Sequence, residues 1–154
     1  MSEFLITDTK EIALITVKNL PDNTFYISKI LELINEENIK IDYFTKQFYL
    51  KDKISVTFTV KENLISKVFD VIKKVRSFVP EISTEIFGNN TKIILKICED
   101  ENAFLTLIKI VKKASLLKAN LNILNFTDNE IIFLIPNEYV SEFKNLWGKF
   151  LRGF

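Results

Sequence analysis

The residues best placed to do chemistry stand where an alternating apolar run gives way to a helical pattern. Ile12, Leu14 and Thr16 alternate with Ala13, Ile15 and Val17, the run stops at Asn19-Leu20-Pro21-Asp22, and Ile27, Ile30, Leu31 and Ile34 then recur at i, i+3, i+4 and i+7. This predicts strand, tight loop and helix in succession, with Asp22, Asn23 or Thr24 as the helix cap. The first backbone N–H groups of a helix have no intrahelical partner, so the chemistry offered here is the non-covalent holding of an anion. A second junction, Glu99-Asp100-Glu101-Asn102, crowds carboxylates ahead of another helical pattern and would repel one.

Covalent chemistry finds no such support. There is no histidine and Cys98 is the sole cysteine, so the common zinc spacings cannot be assembled and an intramolecular disulfide is excluded. The glycines are Gly88, Gly148 and Gly153, none in a strand-to-helix phosphate loop, and no paired carboxylates mark an acid–base catalyst. We therefore expect no catalysis, no metal and no cofactor.

Lys+Arg 21 against Asp+Glu 20 leaves a net charge of +1, which gives no whole-chain attraction for nucleic acid. The basic clusters Lys73-Lys74-Val75-Arg76 and Lys112-Lys113 lie on helical stretches and read as solvated outer faces. Apolar runs are broken by charge well short of the roughly 20 residues of a membrane span, and Met1-Ser2-Glu3 lacks the basic start of a signal peptide. A cytoplasmic protein without membrane association is the expectation, and 47% hydrophobic content suffices for a core.

Several elements must position the first loop. Glu3–Thr7 and Glu11–Lys18 read as two strands of a hairpin or near-hairpin around Asp8-Thr9-Lys10. The first helix runs to about Glu37, strand two covers Ile39 to Leu50, and Ile54–Val60 is strand three. In strand three a polar face of Ser55, Thr57 and Thr59 implies half-burial. A helix follows with Leu64, Val68, Val71, Ile72 and Val75, then a strand over Ile82–Phe87 closed by a turn at Gly88-Asn89-Asn90. The order then repeats: strand Lys92–Cys98, a helix with Phe104, Leu107, Ile108, Val111 and Ser115 on its packing face, strands Leu121–Phe126 and Glu130–Ile135, and a closing helix with Val140, Phe143, Trp147, Phe150 and Leu151. Trp147 is read as a packing residue or a dimer contact.

Sliding the chain by about 80 residues lays Glu11–Val17 on Thr91–Ile97 and Asp22 on Asn102. Two copies of this order predict an α+β fold of two ferredoxin-like (βαββαβ) α/β sandwiches in tandem. We expect a first domain over 9–88 and a second over 89–154. Because the second copy ends on a helix and lacks a last strand, residues 3–7 are expected to complete its sheet.

Ile6-Thr7-Asp8, then Ala13-Leu14-Ile15-Thr16-Val17-Lys18-Asn19-Leu20-Pro21-Asp22, Asn38-Ile39-Lys40-Ile41-Asp42 and Ile54–Val60 together resemble the regulatory half of aspartate kinases, a tandem pair of amino-acid-binding ACT domains. The resemblance covers nearly the whole chain. It implies regulation without chemistry, because in that family the kinase domain precedes this region, and with Met1 just ahead the chain is expected to stand alone. It also implies lysine or threonine bound at the loop after strand one, usually at an interface between two chains. Carried over position by position, the ligand-binding candidates are Asn19, Asp22, Asn23, Phe25, Tyr26 and Ile27 from the loop, and Ile39, Ile41, Asp42 and Gln47 from strand two. The helix N-terminus would meet the α-carboxylate, and Asp22 or Asp42 the α-ammonium.

The chain departs from the family's Pro-Asp-x-Pro-Gly, reading Pro21-Asp22-Asn23-Thr24-Phe25, with a ring where glycine leaves room for ligand. Two functions therefore compete: an amino-acid-sensing homodimer, and a module without ligand that serves dimerisation or binds a partner enzyme of amino-acid synthesis. A third reading, base stacking on Tyr43, Phe48 and Phe58, conflicts with the near-zero charge.

Overall fold

The structure is a computed structural model that describes residues 5–98 and 102–150, the last five of these as backbone only. In chain order the elements are β1 (Leu5–Pro21), α1 (Thr24–Glu36), β2 (Phe44–Leu50), β3 (Lys53–Lys61), α2 (Ile65–Phe78), β4 (Ser83–Lys96), α3 (Ala103–Leu117), β5 (Ile123–Phe126), β6 (Glu130–Pro136) and α4 (Val140–Phe150). They form two compact units. The first is Ile12–Gly88; the second comprises the described residues of Met1–Glu11 and Asn89–Phe154.

In the first unit the strand order is β2-β3-β1-β4. β1 and β3 run antiparallel with Ala13 opposite Val60, Ile15 opposite Phe58 and Val17 opposite Val56. These side chains share one sheet face, because successive residues of a strand point to opposite faces. On that face they pack with Ile30 and Ile34 of α1 and with Val68, Val71, Ile72 and Val75 of α2. Removing one such aliphatic side chain from water stabilises by roughly 1.5–3 kcal/mol, which is why the helices lie on this face.

The second unit has the order β1-β4-β6-β5, with Ile93 opposite Phe133 and Leu95 opposite Ile131. Its core joins these residues to Ile110, Ala114, Val140 and Phe143, and Ile6 of β1 packs against it. Phe133 and Phe143 meet at a centroid distance of 5.8 Å. Each unit is thus a four-stranded antiparallel sheet with two helices, the ferredoxin-like βαββαβ sandwich of ACT type. No helix among the described residues is long and apolar enough to cross a membrane.

Several local expectations are corrected. No hairpin forms around Asp8-Thr9-Lys10 and no turn at Gly88-Asn89-Asn90, because β1 and β4 each run straight through. Glu11 and Asn89 instead take left-handed φ values of 56° and 58° at the points where the strands leave one unit for the other. The turn-like composition thus marks left-handed residues inside continuous strands. Strand two begins at Phe44, not Ile39: Ile39 is buried and Ile41 half-buried, but in the connection after α1.

Ser55, Thr57 and Thr59 are buried, not half-buried, at 5%, 7% and 0% exposure. Hydroxyl bonds make this tolerable: Thr57 Oγ1 lies 3.1 Å from Thr16 Oγ1, and Thr59 Oγ1 donates to Asp42 Oδ1 at 2.9 Å. The packing face of α3 is only partly the expected one, since Leu107 does pack against the second core. Ala103, Thr106, Ile110 and Ala114 are buried, while Phe104, Leu105 and Val111 are exposed, because the small residues let the helix lie close to its neighbours. Of the closing helix, Val140 and Phe143 are buried; the side chains of Trp147 and Phe150, with Leu151 and residues 3 and 4 of the expected strand, lie outside the described residues.

Candidate functional site

The loop between β1 and α1 is held by three backbone features. Pairing with β3 slips register between Val17 and Leu20, and Asn19 inside that bulge takes φ 67°, a left-handed conformation that asparagine adopts more readily than most residues. Its Nδ2 donates to the Glu81 carbonyl at 3.0 Å. Three residues on, the Asp22 N–H donates to the Asp52 carbonyl at 3.1 Å, tying the loop to the β2–β3 turn.

Among the three candidate caps, Asn23 is the one used. Its Oδ1 accepts from the Phe25 N–H at 2.9 Å, and Thr24 is already helical. Asp22 stands outside the helix, where its Oδ1 lies 3.2 Å from Lys46 Nζ of β2, and both side chains are about half exposed, at 54% and 49%. Phe25 is 62% exposed and meets Tyr26 edge-on at 5.4 Å, while Tyr26 stacks on Phe78 at 6.4 Å. Tyr26 and Ile27 pack against the first core.

The candidates from beyond α1 lie elsewhere. Asp42 is engaged by Thr59, and Thr59 stands on β3 seven residues past Asp52, the anchor of Asp22. At about 3.3 Å per residue the two anchors are roughly 20 Å apart, so one α-ammonium cannot reach both aspartates of the same chain. Gln47 pairs with Ser55 and Lys46 with Val56; since Val56 belongs to the core face, Gln47 points to the opposite one. The structure therefore keeps Asn19, Asp22, Asn23, Phe25, Tyr26 and Ile27 in one loop and helix start and sets Asp42 and Gln47 apart from Asp22, while Ile39 and Ile41 share the first core with Tyr26 and Ile27.

Sequence reasoning missed Lys46, Asp52 and Glu81. Nothing local could have found Lys46, because its approach to Asp22 depends on the β2–β3 register. Next to Asp42, burial pushes the Tyr43 hydroxyl pKa up, with a partly opposing hydrogen bond to Thr45. Of the residues offered for base stacking, Phe58 is 1% exposed, Tyr43 precedes the strand and Phe48 sits on edge strand β2, so they form no open stacking platform.

The corresponding junction of the second unit is capped by Asn102, whose Oδ1 accepts from the Leu105 N–H at 3.0 Å. Phe104 follows that cap as Phe25 follows Asn23, and it too is mostly exposed, at 60%. Glu99, Asp100 and Glu101, with the anion repulsion expected of them, lie outside the described residues. Among the described residues no group of three or more His, Cys, Asp or Glu is placed to hold a metal ion.

Architecture and loop together define a tandem pair of ACT-type sandwiches with a polar strand-to-helix junction. Among solved structures, the chain is similar to the regulatory subunit of aspartate kinase from Thermus thermophilus in its ligand-free form (17% identity, TM-score 0.72, covering 89% of this chain and 90% of that one). It is also similar to the Thermus flavus regulatory subunit (16%, 0.76, 88% and 90%). A longer protein, E. coli aspartokinase III in complex with lysine and aspartate, matches over 89% of this chain and 30% of its own length (12%, TM-score 0.60). No protein-family model and no curated protein sequence matches the chain.

Proposed function

We propose that this chain is a non-catalytic regulatory protein that binds a small amino acid at the β1–α1 loop. The observation that carries the reading is the Asp22–Lys46 pair, both side chains half in solvent, one residue ahead of the capped start of α1. A zwitterion presents the same two charges as that pair. Its α-ammonium would exchange with Lys46 for the Asp22 carboxylate, and its α-carboxylate would take the released Lys46 ammonium and the partial positive charge of the helix end. Lysine and threonine are the ligands to test first, on the family resemblance and on the lysine complex of the E. coli enzyme.

In this reading the protein is a homodimer, and Ile41, Asp42 and Gln47 would join the site from the second copy, with Ile39 held in the core behind them. Edge strand β2 supports such pairing, because among the described residues no strand lies beyond it and Phe48 is 79% exposed.

A second reading, a module without ligand that acts through dimerisation or a biosynthetic partner enzyme, draws support from Phe25 in the loop and from the engagement of Asp22 and Asp42 by the chain's own groups. A thermal-melt panel of the standard amino acids separates the two. A ligand bound only by the native state raises the midpoint by a few degrees at saturating concentration, whereas a flat panel overturns the sensor.

A further inference from the structure

We propose that the outer face of α3 is a docking surface for an acidic, amphipathic helical segment of a partner protein. This site lies in the second unit and does not depend on the amino-acid site.

The observation begins with the packing of α3. Its small residues face inward, which leaves Phe104, Leu105, Val111 and Leu116 exposed at 60%, 43%, 41% and 80%. At 100° per residue these fall within an arc of about 140° that also holds Lys112 and Ser115, with Ile108 half-buried among them. Phe126, at the end of edge strand β5, extends the stripe by meeting Phe104 edge-on at 6.2 Å. An apolar surface of this extent has the character of an interaction site.

Charge selects the occupant. α3 carries Lys112 and Lys113 in its second half and is followed by Lys118, and it contains no acidic residue; the carboxylates Glu99, Asp100 and Glu101 precede its other end in sequence. Of the first unit's helices, α1 balances Lys29 with Glu32 and Glu36, whereas α2, with Lys67, Lys73, Lys74 and Arg76 against Asp70, is as basic as α3 but lacks such an apolar stripe. Two copies of α3 packed on each other would set lysines against lysines, at a cost in free energy. A segment with apolar anchors at i, i+3 or i+4, and i+7, flanked by aspartate or glutamate, would fill the stripe and answer the lysines.

The test is a selection of random 15-residue peptides, the length of α3, on the full chain. The selected peptides are then synthesised, labelled and titrated by fluorescence anisotropy. The expected binders are acidic, with apolar residues at helical spacing, and they lose at least about tenfold in affinity on Leu116→Glu, whose side chain is too exposed to disturb folding. Lys112→Glu combined with Lys113→Glu weakens them several-fold, and added salt does the same. Selected peptides without an acidic bias, or unaffected by Leu116→Glu, overturn the proposal. So does self-association abolished by Leu116→Glu, which would make a second copy the occupant, or Leu116-dependent binding only to phosphatidylserine vesicles, which would make it a membrane surface.

Discussion

Asp22 Oδ1 lies 3.2 Å from Lys46 Nζ, bridging the loop that begins α1 and the strand at the sheet edge. Both side chains are about half exposed, so solvent screens the pair and its contribution to folding is small, in the range of about 0–1 kcal/mol. We expect Lys46→Ala to leave the urea-unfolding midpoint nearly unchanged while weakening amino-acid binding. A large loss of stability would instead make the pair a structural tie.

The hydroxyls of Thr16 and Thr57 make a different kind of contact, 3.1 Å apart and with Thr57 buried. Thr16→Val strands the buried Thr57 hydroxyl and costs about 1–3 kcal/mol, Thr57→Val leaves the half-exposed Thr16 hydroxyl to water and costs less, and the double substitution, close in shape, comes nearly to neutral. A double-mutant cycle by chemical unfolding checks this, and simple additivity of the two losses would refute it.

Acid should release one tie in the second unit. Lys144 Nζ lies 2.8 Å from Asp8 Oδ2, and the hydrogen bond from Lys144 lowers the Asp8 pKa from its ordinary 3.8, against a smaller opposing effect of burial. A carboxylate whose folded pKa is depressed adds stability that is fully present above the unfolded value and is lost as pH falls through the folded one. Wild type should therefore exceed Asp8→Asn in stability at neutral pH, and the gap should shrink below about pH 4. Parallel curves from pH 7 to pH 2.5 would contradict this.

The edge strand provides the test of assembly. If β2 pairs with its copy, Phe48→Glu places a carboxylate on the joining strand and should shift the mass measured by light scattering from dimer toward monomer. Phe48 is 79% exposed, so the fold itself should tolerate the change. An unaltered dimer would move the interface away from this edge.

The alternation of Ala13, Ile15 and Val17 and the spacing of Val68, Val71, Ile72 and Val75 made the sheet and helices of the first unit legible, because each buries one face with the proper period. Ile39 and Ile41 misled for the same reason: a buried and a half-buried residue in a connection keep a strand's alternation without a strand's pairing. In α3 the bulkiest residues suggested the buried face, yet the space beneath the helix suits Ala103, Thr106 and Ala114. The cap and the loop were readable to within a residue, since Asn23 and Asp22 are both good cap types. The Lys46 contact was not, since it depends on how distant strands align.

The central claim is tested most directly by calorimetric titration of lysine and of threonine into wild type and Asp22→Asn. One of the two should bind wild type saturably. Loss of the charged acceptor for the α-ammonium should weaken it by about 10- to 100-fold, corresponding to roughly 1.5–3 kcal/mol for a hydrogen bond to a charged group. Binding of equal strength to both proteins, or no heat with either ligand at millimolar concentration, would contradict the assignment of this loop as an amino-acid site.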